Sequence, residues 1–281
     1  SHLRGAAMKL GQMISMDAGD LLPPELAAIM GTLRDRATFM PSRQLEKVLA
    51  AEWGSDWRGQ FAEFQIRPIA AASIGQVHRA VTHDGRTLAI KVQYPGIRES
   101  IDADVDNVAS LLKMSTMMPP QLDLGPLLTE AKLQLHEEAD YRREGEQMQN
   151  YARLLADEDG FVVPQLDEEF TRGRVLAMSF EPGDPIEELE NESQDLRNEV
   201  AQRIITLVCR ELFEFGVMQT DPNFANYRYQ KGTGRIVLLD FGATRAVAPE
   251  VANSYRRLLA AAIDDDADAV ITASLEAGFI N

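Results

Sequence analysis

QTDPNFAN at positions 219–226, followed by LLDFG at 238–242, is the stretch on which the fold of this chain turns. It carries a carboxylate at Asp221, an amide five positions later at Asn226, and a second carboxylate fourteen positions beyond that at Asp240. A loop that turns back over five residues aims Asp221 at a nucleophile and Asn226 at a cation. The intervening YRYQKGTGRIVLLDFG has turn residues between two apolar runs and reads as a β-hairpin that returns Asp240 to the same place. Converging oxygen ligands suit hard Mg²⁺, and phosphoryl transfer needs mostly positioning and charge neutralisation. Asp221 is thus a candidate base, and Asn226 and Asp240 are candidate metal ligands.

The remaining parts of such a site lie upstream. TLAIKVQY at 87–94 alternates apolar and polar residues and predicts a strand bearing Lys91. Lys91 follows Val77 by fourteen residues. Before it runs Ala70-Ala71-Ala72-Ser73-Ile74-Gly75-Gln76-Val77. EEADYRREGEQMQNYARLL at 137–155 predicts a helix, with Glu144 as partner for the lysine. The order resembles that of protein kinases: a phosphate loop, a strand lysine, a helix glutamate, a catalytic loop and an Asp-Phe-Gly. That resemblance implies an α+β, bilobal fold, with Ser179 and Phe180 in the hinge AMSFEPGDP beside the nucleotide. Three departures stand out. The loop is A-x-A-x-x-G-x-V where kinases have G-x-G-x-x-G-x-V, Thr220 replaces the arginine of the catalytic loop, and Lys91 and Glu144 are 53 residues apart. IDADVDNVASLLKMSTMM is therefore expected as an inserted helical element. Ala-Pro-Glu at 248–250 comes only six residues past Gly242 and reads as a helix start, which leaves almost no activation loop.

Further motifs make the resemblance narrower. Lys9-Leu10-Gly11-Gln12 forms a KxGQ motif, AAASIGQVH at 70–78 an Ala-rich loop, and Glu138-Ala139-Asp140 an ExD motif. With QTD in the catalytic loop, the chain resembles the UbiB family of atypical kinase-like proteins, closest to its coenzyme Q (ubiquinone) biosynthesis branch, from about Leu3 to the C-terminus. The resemblance implies an atypical kinase or ATPase that binds ATP or ADP with Mg²⁺ and supports ubiquinone biosynthesis. It also implies that the N-terminal helical KxGQ cap packs on the active site and suppresses protein phosphorylation in trans. Lys9, Gly11, Gln12, Glu138 and Asp140 are then the regulatory set, and Ala70, Ala71, Ala72, Ser73, Gly75, Val77 and Lys91 hold the nucleotide. Alanines where glycines give positive φ stiffen the loop and imply that ADP is held as well as ATP or better. The implied partners are a nucleotide, quinone-precursor lipids or a ubiquinone-biosynthesis protein complex, and a peripheral membrane surface. The implied location is cytoplasmic or membrane-peripheral in a bacterium, or the mitochondrial matrix side in a eukaryote.

Composition bounds the partners. The 281 residues carry a net charge of −16, which argues against nucleic acid, whose phosphates reward Lys and Arg. The one cysteine, Cys209, lies in the apolar run IITLVCRELFEF; it permits no internal disulfide and is expected as a small buried helix residue. No run of eighteen apolar residues exists to span a bilayer. The chain begins with Ser1-His2 rather than Met, and a fragment of a longer protein is expected. Methionines such as Met8, Met13, Met30, Met40, Met117 and Met118 read as core fillers, with an adaptable groove for an isoprenoid tail as the alternative.

The expected domains are a helical KxGQ extension over 1–60, a kinase-like N-lobe with its helical insertion over 61–180, and a kinase-like C-lobe over 181–281. Within the first, Ser42 is expected to cap a helix. FAEFQIRPIA, GQVHRAVT, RTLAIKVQ, VVPQLDEEF and RVLAMSF are expected as strands, with the turn between the second and third at His83-Asp84-Gly85. Two other functions stay open: a true kinase of a protein or prenylated small molecule, and a pseudokinase scaffold. The missing activation loop weighs against the protein kinase, and the full Lys-Asp-Asn-Asp set against the scaffold.

Overall fold

A computed structural model describes residues 39–114, 124–221 and 223–280. The KxGQ residues Lys9, Gly11 and Gln12 lie outside the described residues. The chain divides into two compact units: the first takes the described residues up to Asn150 together with Pro164–Glu181, the second Tyr151–Val163 and Pro182 onward.

The first unit is built on an antiparallel sheet. β1 (Phe61–Phe64), β3 (Gly75–Thr82), β4 (Thr87–Gln93) and β6 (Val175–Ser179) lie side by side, and the short β2 (Ala70–Ala71) pairs with β3. The turn joining β3 and β4 closes at Gly85, whose φ of +88° few other residues adopt. Leu88, Ile90 and Val92 of β4 are buried on one face, as period-two alternation requires. Lys91 and Gln93 point to the other face and are buried as well, because helix α4 (Tyr141–Leu154) covers it. Helix α1 (Ser42–Trp53) sets Trp53 among Trp57, Phe61 and Phe170, and its indole Nε1 donates to the Phe170 carbonyl at 2.9 Å. Pro41, not Ser42, occupies the cap position of α1, and no side chain caps it.

Between β4 and α4 stand α2 (Ile97–Met114) and α3 (Leu124–Glu138), which pack on each other. Ile101, Val105 and Val108 on α2 recur at helical spacing and are buried, as are Leu127, Ala131 and Leu135 on α3. Lys132–Asp106 joins the two at 2.7 Å.

In the second unit β5 (Phe161–Val162) runs parallel to β10 (Arg235–Leu238), which pairs antiparallel with β9 (Tyr227–Gln230), itself beside β7 (Asp184–Pro185). Of VVPQLDEEF only Val162 belongs to a strand, and Leu166 makes a single bridge to Met178. Around that bridge the Ser179 amide donates to the Gln165 carbonyl at 2.8 Å and the Asp167 amide to the Ala177 carbonyl at 2.9 Å; past Asp167 the chain turns, with Asp167 Oδ1 accepting from the Phe170 amide at 3.2 Å. α5 (Gln194–Arg210) is capped by Ser193, passes into a π-helical turn over Glu211–Phe215, and stops at Gly216 with φ +65°. β8 (Val217–Gln219) follows and pairs with β11 (Thr244–Ala246); α6 (Pro249–Ile263) and α7 (Ala267–Glu276) complete the unit. Cys209 is exposed, contrary to the expectation of a buried residue: α5 buries only Val200 and Leu207 deeply, and Ile205 and Val208 share the exposure of Cys209. Among the described residues no helix is long and apolar enough to cross a membrane.

Candidate active site

Each unit holds one group of the residues singled out above. In the first, the ladder sets Val77 opposite Lys91 on one side and Leu176 opposite it on the other. Lys91 is 6% exposed and Glu144 1%, and Lys91 Nζ donates to Glu144 Oε1 at 2.7 Å. The Tyr141 ring lies 5.4 Å from the same ammonium. Gly145 lets α4 approach closely: a Cβ there would come within 3.0 Å of Leu166. A charged stretch such as EEADYRREGEQ reads as a solvated face, yet Glu144 is turned inward to a cation that offsets part of the cost of its burial.

The Ala-rich loop is a hairpin turn. Ala70 and Ala71 pair with Val77 and Gln76, and the Ala72 amide donates to the Gly75 carbonyl at 2.9 Å. Gly75 is required by close approach rather than by dihedral angle, since a Cβ would sit 2.3 Å from the Val92 carbonyl oxygen. Ser73 Oγ donates to Glu138 Oε2 at 2.8 Å, so the loop is tied to the ExD segment. Asp140 takes the Arg143 amide at 3.2 Å, as a helix-capping residue does at the start of α4, and Gln93 Nε2 donates to the Ala139 carbonyl at 2.6 Å. Ser179 Oγ accepts from the Gln165 amide and donates to Glu181, and the Phe180 amide donates to the Thr87 carbonyl.

The second group is held by local turns. Asn223 caps the 3-10 turn Phe224–Asn226 by accepting from the Ala225 amide. Asn226 Nδ2 points at the Asp221 carbonyl at 3.4 Å, which leaves its Oδ1 available to a cation. The Leu239 amide donates to the Asn226 carbonyl at 2.9 Å, and Asp240 Oδ1 accepts from the Gly242 amide at the same distance. Thr220 donates its hydroxyl to the Ala243 carbonyl at 2.7 Å, a tether where a kinase would hold its arginine. Asn226 and Asp240 line one cavity with Tyr151, Glu211, Tyr227 and Phe241.

Among the described residues no group of three or more His, Cys, Asp or Glu could enclose a metal. Asn226 and Asp240 fit Mg²⁺ differently, as the one or two protein oxygens it takes beside phosphate oxygens and water.

Three neighbouring residues received no role from the motifs. Gln219 Oε1 accepts from the Asp221 amide at 2.8 Å, while its Nε2 donates to the Asp240 carbonyl at 2.9 Å, so one side chain bridges both acidic residues' main chains. Glu211 is 3% exposed, and burial pushes its carboxyl up to about 7. Tyr151 Oη donates to it at 2.7 Å; burial, then the charge of Glu211, pushes that hydroxyl far above its usual range. A charged residue inside the apolar run IITLVCRELFEF was the one signal available for Glu211.

Comparison with known proteins places these residues in context. The family model of the ABC1 atypical kinase-like domain matches residues 32–274. The mitochondrial atypical kinase COQ8B of Rattus norvegicus is 44% identical over 278 residues, covering 99% of this chain and 53% of that protein. The mitochondrial atypical kinase COQ8 of Saccharomyces cerevisiae is 39% identical over 280 residues, covering 100% of this chain and 56% of that protein. The chain thus spans about half the length of the curated relatives it matches. Among solved structures, the complex of Rv3197 with erythromycin from Mycobacterium tuberculosis is similar with a TM-score of 0.69 and 27% identity, over 95% of this chain and 68% of that one.

Proposed function

Since the chain belongs to the family of ABC1 atypical kinase-like domains, we propose that it binds ATP and ADP with Mg²⁺ and transfers or hydrolyses the terminal phosphoryl group in support of ubiquinone biosynthesis. The fold is α+β and protein-kinase-like, with α2 and α3 inserted between Lys91 and Glu144. The observation that carries the proposal is the buried Lys91–Glu144 pair. A lysine needs no buried carboxylate to serve as a surface residue. Held at 2.7 Å by Glu144, it is a fixed cation on which the α and β phosphates can rest.

Each residue then has a role. Gly75 and Val77 set the loop beside the phosphates, and Ala70, Ala71, Ala72 and Ser73 keep that loop a tight turn. Asp221 accepts the proton of the attacking hydroxyl or water. Asn226 and Asp240 hold Mg²⁺, which when bound neutralises charge on the phosphates. The main chain near Ser179 and Phe180 receives the base. Lys9, Gly11 and Gln12, with Glu138 and Asp140, restrain transfer to protein substrates; the short stretch from Gly242 to Pro249, where an activation loop would offer a peptide platform, supports that restraint. A quinone-precursor lipid or a protein complex of that pathway is the proposed partner.

Calorimetry of ADP and ATP binding, with and without Mg²⁺, tests the nucleotide site. Binding is expected to need Mg²⁺, and Asp240→Asn to weaken it roughly tenfold or more. Equal affinities in all four conditions would remove Asn226 and Asp240 from the site. Phosphate release with and without liposomes and a prenylated phenol tests the partner class; stimulation by either is the expected result.

A further inference from the structure

Asp221 and Asp240 both lie outside the strand ladders, two residues past the ends of β8 at Gln219 and β10 at Leu238. One side chain joins them. Gln219 Oε1 accepts from the Asp221 amide at 2.8 Å, and Gln219 Nε2 donates to the Asp240 carbonyl at 2.9 Å. A primary amide suits this task because it holds an acceptor and a donor at fixed separation on one planar group. The strut starts from a fixed point, since the Gln219 main chain pairs with Thr244 in the β8–β11 ladder. Thr220 adds a second tie between the same two stretches: its amide and its hydroxyl both donate to the Ala243 carbonyl, at 3.1 and 2.7 Å. Gln219 also lines the cavity that Asn226 and Asp240 line.

A glutamine that only tightened the turn after β8 would need one of these bonds, the one to Asp221 two residues on. The bond to Asp240 spans 21 residues and ties the catalytic loop to Asp-Phe-Gly. Asp240 is held at its other end too, where Oδ1 accepts from the Gly242 amide at 2.9 Å. A ligand residue ordered in advance loses less conformational freedom when a cation binds, so the cation binds more tightly. We propose that Gln219 is a positioning residue for the metal–nucleotide site, its side-chain amide presetting the separation of Asp221 and Asp240. This rests on the nucleotide reading above and deepens it.

The test uses the chain as it stands and reads the Mg²⁺ concentration that gives half-maximal ADP binding, beside thermal unfolding without nucleotide or Mg²⁺. Gln219→Met keeps the length of the side chain and removes both bonds. The expected result is a Mg²⁺ requirement raised roughly tenfold, as for other groups that orient metal ligands from behind. Gln219→Asn keeps the amide but is one methylene too short to span both partners, and is expected to shift the requirement in the same direction; it decides the question if the methionine variant does not fold. Thr220→Val removes the hydroxyl and leaves the amide on Ala243, so its shift should be smaller than that of either Gln219 variant. A folded Gln219 variant with a lowered unfolding temperature and the parent's Mg²⁺ requirement shows a structural role only and overturns the proposal, while the nucleotide reading stands. A Thr220→Val shift as large as that of Gln219→Met moves the control to the Ala243 tie and overturns it as well. A parent chain that binds ADP without regard to Mg²⁺ overturns both the proposal and the reading beneath it.

Discussion

Two glutamates, one in each unit, are nearly equally buried and live in opposite electrostatic settings. Glu144 in the first unit is 1% exposed and faces the Lys91 ammonium at 2.7 Å. Glu211 in the second is 3% exposed and faces a tyrosine hydroxyl and a backbone amide. Desolvation raises the cost of charge at both sites. At Glu144 a full opposite charge offsets it. At Glu211 two dipoles offset only part of it, so the carboxyl is held up to about 7. Burial by itself therefore does not decide what a carboxylate does; the charge of its nearest donor does.

The largest effect should come from removing that donor. Lys91→Met leaves Glu144 buried without its cation and is expected to destabilise the first unit by about 3–5 kcal/mol in denaturant unfolding. Adding Glu144→Gln to the same chain should recover part of the loss, because the carboxylate that faced Lys91 is then neutral. A cost below about 1 kcal/mol for Lys91→Met would mean that water reaches the pair, and the contrast with Glu211 would fall.

Glu211 should show itself as a pH dependence of the second unit. Its carboxyl titrates higher in the folded chain than its ordinary value of 4.5, so between about 4.5 and 7 the folded state keeps a proton that the unfolded state has released. Stability from this group is present below pH 4.5 and is lost as pH rises through 7. The groups facing it are Tyr151, Tyr227 and the Gln219 amide. Glu211→Gln lacks this dependence and should gain on the parent by roughly 3 kcal/mol between those limits. Parallel curves for parent and variant would show that Glu211 titrates as an ordinary surface acid.

The smallest effect has the opposite sign and lies in the first unit. Met40 N donates to Gln76 Oε1, so the Gln76 amide nitrogen donates to His78 Nε2, and His78 Nδ1–H donates to the Gln65 carbonyl. The chain of donors is consistent only with a neutral ring, and burial lowers the His78 pKa below 6.5. The unfolded chain binds that proton first as pH falls, so stability is lost from about pH 6.5 downward to the folded value. His78→Asn should flatten the acid limb; an unchanged limb would place the acid sensitivity elsewhere.

Much of the fold was legible because its signals are local. Alternation marked β4, HDG marked the turn before it, and the 53-residue gap between Lys91 and Glu144 marked an inserted helical element. VVPQLDEEF misleads for a local reason too: its apolar start resembles a strand, but only Val162 belongs to one, and after a single bridge at Leu166 the chain turns at Asp167. Cys209 misleads for a tertiary one. IITLVCRELFEF is apolar enough to read as core, yet only Leu207 and Glu211 within it are deeply buried.

The amino-acid order by itself determined the sequence of parts: the Ala-rich loop, Lys91, the ExD segment, Glu144, then Asp221, Asn226 and Asp240. Those are choices of residue type at fixed spacing, and spacing along a chain survives folding. Only the tertiary structure decided that the Lys91–Glu144 pair is buried, that Gln219 bridges the two acidic residues' main chains, and that Glu211 sits where a proton is held near neutrality. Such properties depend on desolvation and on through-space approach, and both are set by neighbours that the order of residues does not place side by side.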